Sequence, residues 1–178
     1  MEEGYEALSV RKIAGRIEYS TGVIYHYFLD KEEIVRAVAE EGYGRILKEI
    51  NRVVFDPDQP VEGIKNFFLE YYRAMLENRS YAKLALLSDI EGILQKAVIL
   101  EKGISQRSTS MGILTARLEG AMARGLIKVK DPELTAQLLW TTFYGLLARL
   151  ILEKNTPHEQ QKRLMDELFL LVDSYLLP

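Results

Sequence analysis

Residues 9–34 read SVRKIAGRIEYSTGVIYHYFLDKEEI, and one device recurs in them three times. Ser9 precedes Val10, Ile13, Ala14 and Ile17, an apolar series at helical spacing. It therefore reads as an N-cap whose hydroxyl accepts from the unpaired amides of the first turn. Leu8 and Ile13 occupy the two positions of a hydrophobic staple. Ser20 repeats the pattern with Tyr19 and Ile24, and Asp30 repeats it with Leu29 and Ile34. Glu33, three residues after Asp30, adds a capping box. These starts predict a short helix over 10–17, a turn at 18–20, a second short helix over 21–28 and a third helix from residue 31. Two short helices joined by so tight a turn are a helix-turn-helix.

Working outward, Ile34, Val38, Ile46, Ile50 and Val53 predict that the third helix runs to about Val54. Asp56–Pro60 (DPDQP) is a turn. A helix over 61–77 follows, striped by Val61, Ile64, Phe68, Tyr71, Tyr72 and Met75, with a break at 78–80 and a shorter helix over 81–89. Residues 92–123 read as one long helix despite Gly92, Gly103, Gly112 and Gly120, each of which costs about 1 kcal/mol against alanine. Gly103 is the point where a break would fall. Gly125 reads as a left-handed C-terminal cap. Asp131-Pro132 then caps a helix over 132–154, and Thr156-Pro157 with Glu159 caps the last, over 157–177. Strand alternation and internal repeats do not occur.

Both final helices are apolar nearly all round. The first carries Leu134, Leu138, Leu139, Trp140, Phe143, Tyr144, Leu146, Leu147, Leu150 and Ile151, and the second Leu164, Met165, Leu168, Phe169, Leu171, Val172, Tyr175 and Leu176. A surface helix of a monomer needs one apolar stripe, not two. The second face implies a homodimer through residues 132–177, in an isologous four-helix contact.

Composition narrows the chemistry. The 178 residues contain no cysteine and two histidines, His26 and His158, which excludes disulfides, thiolate sites and cysteine nucleophiles and leaves no metal cluster or triad to build. No apolar run reaches the ~20 residues of a membrane span, and no signal peptide is evident, so the expected location is cytoplasmic. Nor is any cofactor implied. The net charge is −3, and the first 31 residues set Arg11, Lys12, Arg16 and Lys31 against Glu2, Glu3, Glu6, Glu18 and Asp30. Such a segment binds nucleic acid only if its few cations all face phosphate, because counterion release follows phosphates contacted rather than net charge.

The runs Ser9-Val10-Arg11-Lys12-Ile13-Ala14, Ser20–Phe28 (STGVIYHYF) and Asp30-Lys31-Glu32-Glu33-Ile34 resemble the signature of the TetR/AcrR family of transcriptional regulators. The resemblance implies an all-α protein with a helix-turn-helix DNA-binding domain at 1–48 and a helical effector-binding and dimerisation domain at 49–178. It also implies a ligand-responsive repressor that binds a palindromic operator in double-stranded DNA as a dimer and is released by a small, largely apolar or aromatic effector. Two departures stand out. Glu18 occupies a turn position where family members place glycine, at a cost of about 1 kcal/mol or a different turn. The helix that precedes the Glu3-Gly4-Tyr5 position in the family is missing here, which reads as truncation or omission of a disordered start.

The recognition helix of such a motif meets base edges with its N-terminal residues, here Thr21, Gly22 and Val23. Gly22 allows close backbone approach, while Thr21 and the Val23 methyls suit bases or a thymine methyl. Tyr27 and Lys31 resemble the family's phosphate contacts, Arg11 a residue reaching base or phosphate, and His26 suits either; Tyr25 and the caps Ser9 and Ser20 complete the candidate surface. Phe68, Tyr71, Tyr72, Met75, Met111, Trp140 and Tyr144 are either the lining of an effector pocket or ordinary core. A second class of function, a helical small-molecule-binding protein or enzyme that has lost DNA binding, draws on Glu18 and the weak positive charge. The intact cap-turn-cap pattern speaks against it, and no catalytic constellation is present in the sequence.

Overall fold

A computed structural model describes residues 9–87, 98–153 and 155–178. Within them the chain is all-α, with eight α-helices and one short 3-10 turn. The helices are α1 (Val10–Arg16), α2 (Thr21–Tyr27), α3 (Lys31–Ile50), α4 (Pro60–Glu77), α5 (Arg79–Leu87), α6 (Thr109–Ala123), α7 (Pro132–Leu152) and α8 (His158–Leu176), and the 3-10 turn is Ile104–Gln106.

The three caps at the N-terminal end form as the local chemistry requires. Ser9 Oγ accepts from the Lys12 amide at 3.2 Å, Ser20 Oγ from Val23 at 3.3 Å and Asp30 Oδ1 from Glu33 at 2.7 Å. Val10, Ala14 and Ile24 close a small core between α1 and α2, flanked by Ile13, Phe28 and Ile34. The staple expected of Leu29 does not form: Leu29 is 85% exposed. Its amide instead donates to Glu33 Oε2 at 2.5 Å, one residue before the N-cap amide that a capping box uses, so hydrogen bonds rather than an apolar staple fix the entry into α3. Leu8 lies outside the described residues.

Glu18 adopts φ 59°, the left-handed conformation that glycine takes without penalty. Replacing Glu18 by glycine should therefore stabilise the protein by about 1 kcal/mol, read as a higher denaturant midpoint with unchanged slope. An unchanged or lower midpoint would show that the turn carries no strain.

Helix α3 stops at Ile50, short of Val54. The Arg52 and Val53 amides turn back to Glu49 and Ile50, which lets Val53 and Phe55 pack on the main core without a continuing helix. Asn78 alone separates α4 from α5, so α5 starts at Arg79 rather than 81. The long helix expected over 92–123 does not form: Gly103 takes φ 79°, the 3-10 turn follows, and α6 begins only at Thr109. Glu133 of α7 holds that break, accepting from the Gly103 amide at 2.6 Å, from the Ser105 amide at 3.1 Å and from the Ser105 hydroxyl. The Ser105 hydroxyl and the two amides keep its carboxyl below the usual glutamate range. Residues 88–97, where the remainder of both readings falls, lie outside the described residues. Gly125 takes φ 70° after α6, as its position suggests. Thr156 does not cap α8; its hydroxyl donates to the Glu153 carbonyl, and Pro157 stands at the helix start.

The main core is shared by α4, α6, α7 and α8, with Phe67, Phe68, Met111, Leu114, Leu118, Trp140, Phe143 and Val172 among its members. Lys65 clamps α4 to α8 through Asp173 at 2.6 Å while also pairing with Glu62 at 2.9 Å. Burial alone would lower its pKa, but the hydrogen bonds to the two carboxylates outweigh it and raise it. Among the described residues, no helix is long and apolar enough to cross a membrane.

Candidate nucleic-acid interface and effector core

Helix α2 buries one residue, Ile24. Thr21, Gly22, Val23, Tyr25, His26 and Tyr27 all face outward, and Tyr27 is 72% exposed. The ring of His26 meets that of Tyr27 edge-on at 5.2 Å, which braces both aromatic tips on one side of the helix. Ser20 is exposed at the head of α2, Arg11 projects from α1 to solvent, and Ser9 and Lys31 are half-buried. The ten residues singled out for DNA thus gather on one small unit of α1, α2 and the start of α3. Lys12 and Arg16, also exposed on α1, add cations there. Geometrically the unit can do two things: present polar tips and amides to phosphates, and present a helix start to a groove.

This architecture carries the same cap-turn-cap segment that a family profile recognises: the profile described as "Bacterial regulatory proteins, tetR family" matches residues 1–38. Residues 1–38 thus match the N-terminal domain of the TetR family. The chain's relatives agree over most of its length. The HTH-type transcriptional regulator UidR of Escherichia coli (strain K12) is 27% identical over 155 residues, covering 83% of this chain and 73% of UidR. The HTH-type transcriptional repressor AcnR of Corynebacterium glutamicum is 27% identical over 152 residues, covering 84% and 74%. Among solved structures, the regulator FadR of Bacillus subtilis, in complex with stearoyl-CoA, superposes with a TM-score of 0.70 at 20% identity, covering 96% of this chain and 90% of that one. At that identity the likeness is one of fold.

The residues expected to line an effector pocket mostly converge, and they do so as packed rings. Trp140 lies 6.0 Å from Phe68 and 5.0 Å from Tyr71 between ring centres, and Phe68 stacks on Phe143 at 3.9 Å. Met111 is fully buried in the same cluster, against which Tyr144 packs. Met75 falls instead in an adjoining cluster with Ile46, Ala74, Leu147 and Ile151. Tyr72 bridges outward, its hydroxyl donating to Gln161 Oε1 at 2.8 Å.

Two features around α3 and α5 were not anticipated. Tyr43, Tyr71, Tyr81 and Tyr144, from α3, α4, α5 and α7, lie near one another. Burial, with the neighbouring phenols, pushes Tyr71 well up and Tyr81 up to about 12, so both hydroxyls keep their protons across the neutral and mildly alkaline range. The Tyr81 ring also lies directly on the α3 backbone: a Cβ at Gly42 would sit 2.3 Å from Tyr81 Cδ2. The sequence offers only a weak signal for it, a glycine inside a helical pattern: Gly44, two residues on, is the same signal and a Cβ there would meet nothing within 4 Å. Beside this contact, a cleft of about 450 Å³ is lined by Val38, Glu41, Arg45, Leu76, Arg79 and Tyr81, among others.

Proposed function

We propose that the protein is a ligand-responsive repressor that binds a palindromic operator as a homodimer and is released by a small, largely apolar effector. The observation that carries this reading is α2, a capped recognition helix anchored by Ile24 alone with every other side chain presented to solvent. Residues 1–48 are the DNA-binding head and 49–178 the effector and dimerisation body. Thr21, Gly22 and Val23 meet base edges; Tyr27 and Lys31 meet the backbone and Arg11 a base or phosphate, with His26, Tyr25, Ser9 and Ser20 beside them. Repression is supported by AcnR, a transcriptional repressor that is 27% identical to this chain.

The effector reading draws on the ring cluster around Trp140, Phe68, Tyr71, Met111 and Tyr144, which has apolar area and few polar groups. The FadR structure holds stearoyl-CoA, whose acyl chain, though not its phosphorylated head, is apolar, and that chain supports an apolar ligand portion for this fold. The route from body to head is α3, on which Tyr81 and Leu84 of α5 pack beside Val35 and Ala39. A ligand shifts the heads only if it binds the two spacings unequally.

A mobility assay on the DNA flanking the protein's own gene, at two salt concentrations, tests the reading. Tyr27→Ala and Lys31→Ala should weaken binding equally on all sequences, and Lys31→Ala should reduce the salt slope by about 1. Thr21→Ala should instead change sequence preference, by about 1–3 kcal/mol at one base pair. No salt-dependent binding by the wild type would favour a small-molecule-binding protein that has lost DNA recognition, and a change of preference with Tyr27→Ala would reverse the assigned roles.

A further inference from the structure

The buried side chains among the described residues carry no charge, and the buried polar ones are Ser110, Thr115, Thr135 and Gln137. Ser110 Oγ pairs with Ser108 Oγ at 3.3 Å, and Gln137 Nε2 donates to the Glu101 carbonyl at 3.0 Å. Thr115 Oγ1 is different. Its residue is 4% exposed, and its hydroxyl has no hydrogen-bond partner. A threonine in a helix has a ready partner in the carbonyl four residues back. On α7, Thr141 and Thr142 use it, donating to Gln137 and Leu138 at 2.8 Å each. On α6 the equivalent acceptor for Thr115 is Met111, and the bond is not made. A buried hydroxyl left without a partner is costly, and such groups call for an explanation.

The position supplies one. Thr115 is four residues from Met111 and three from Leu118, on the face that enters the cluster holding Phe68, Trp140 and Phe143. We propose that the Thr115 hydroxyl is the polar anchor of the effector, pairing with an uncharged oxygen, of the alcohol, ketone or ester class, on an otherwise apolar ligand. The inference rests on the effector reading above and narrows it. A carboxylate at this depth would have no buried cation to meet it, whereas a neutral oxygen needs only the one hydroxyl. A ligand that lacks the oxygen would leave Thr115 unpaired, which is how a site discriminates between molecules of equal apolar area.

Trp140 is the chain's single tryptophan, so its emission reports on this cluster. The full chain is titrated with 1-octanol, 1-chlorooctane and octanoate, as wild type, Thr115→Val and Thr115→Ser, and each apo protein is melted. Wild type and Thr115→Ser should prefer 1-octanol over 1-chlorooctane by about tenfold, the worth of one hydrogen bond, with octanoate weaker than 1-octanol. Thr115→Val should lose that preference and melt at or above the wild-type temperature, because the isosteric change removes an unpaired group. A preference retained in Thr115→Val, tightest binding of octanoate, or a Thr115→Val protein melting well below wild type would overturn the proposal; in the last case the hydroxyl is bonded within the apo protein. Silence of Trp140 towards all three probes would overturn the effector reading itself and the anchor with it.

Discussion

Leu171→Glu should convert a dimer into monomer, as read by sedimentation equilibrium, and should lower operator affinity about 100-fold or more at fixed protein concentration. Leu171 is 65% exposed on α8, and Leu164 and Tyr175 are exposed seven residues before it and four after it. Helix α7 presents the matching stripe: Leu134, Leu138, Thr141, Thr142 and Leu152 are exposed, and the space over Gly145 is open. The opposite faces of both helices are already used, by Leu139, Phe143, Leu147 and Leu150 on α7 and by Met165, Leu168, Val172 and Leu176 on α8. Two helices with a buried face and a second apolar face fit an isologous four-helix contact. A glutamate at its centre would be desolvated twice, once from each subunit, without a partner. Operator binding suffers in turn because two linked heads engage two half-sites, and a monomer engages one. An unchanged dimer would move the interface off this face.

Trp140→Ala should cost about 3–5 kcal/mol of stability, measured by circular dichroism in a denaturant series. Trp140 is 7% exposed and its ring is bordered by Phe67, Phe68 and Tyr71 at 5.0 to 6.1 Å between centres. Removing it leaves a cavity that three rings from one helix, α4, cannot readily fill by small movements. A loss below about 1 kcal/mol would mean that the rings are packed loosely enough to collapse on the gap, which is also what a ligand space would permit. The variant is therefore informative about the effector only after its fold has been checked. Thr115→Val, which changes no volume, is the milder probe of the same cluster.

The DNA-binding unit was legible because its determinants are local. A cap at Ser9, Ser20 or Asp30 reaches an amide three residues away, whatever the rest of the chain does. The same locality explains the errors. The apolar period through Val53 is satisfied equally by a helix or by a turn that drops Val53 and Phe55 onto the core, and packing chose the turn. Gly103 was flagged by its cost in a helix, but the break there is held by Glu133, thirty residues further along the chain. Thr156 had the right neighbours for a cap and lost its hydroxyl to the Glu153 carbonyl.

By itself the sequence determined the all-α class, the three capped starts and the family signature they resemble, and it marked α7 and α8 as having two apolar faces. Tertiary structure alone decided which face of each is buried, that Phe68, Tyr71 and Trp140 meet while Met75 turns to a neighbouring cluster, and that Tyr81 lies against Gly42. It also decided that, among the described residues, Thr115 is a buried threonine whose hydroxyl has no partner. The physical reason is the range of the forces involved. Capping and periodicity act within one or two turns of helix and are written in neighbouring residues. Which rings touch and which hydroxyl is stranded depend on how whole helices cross, and helix packing fixes those crossings only when every side chain is in place.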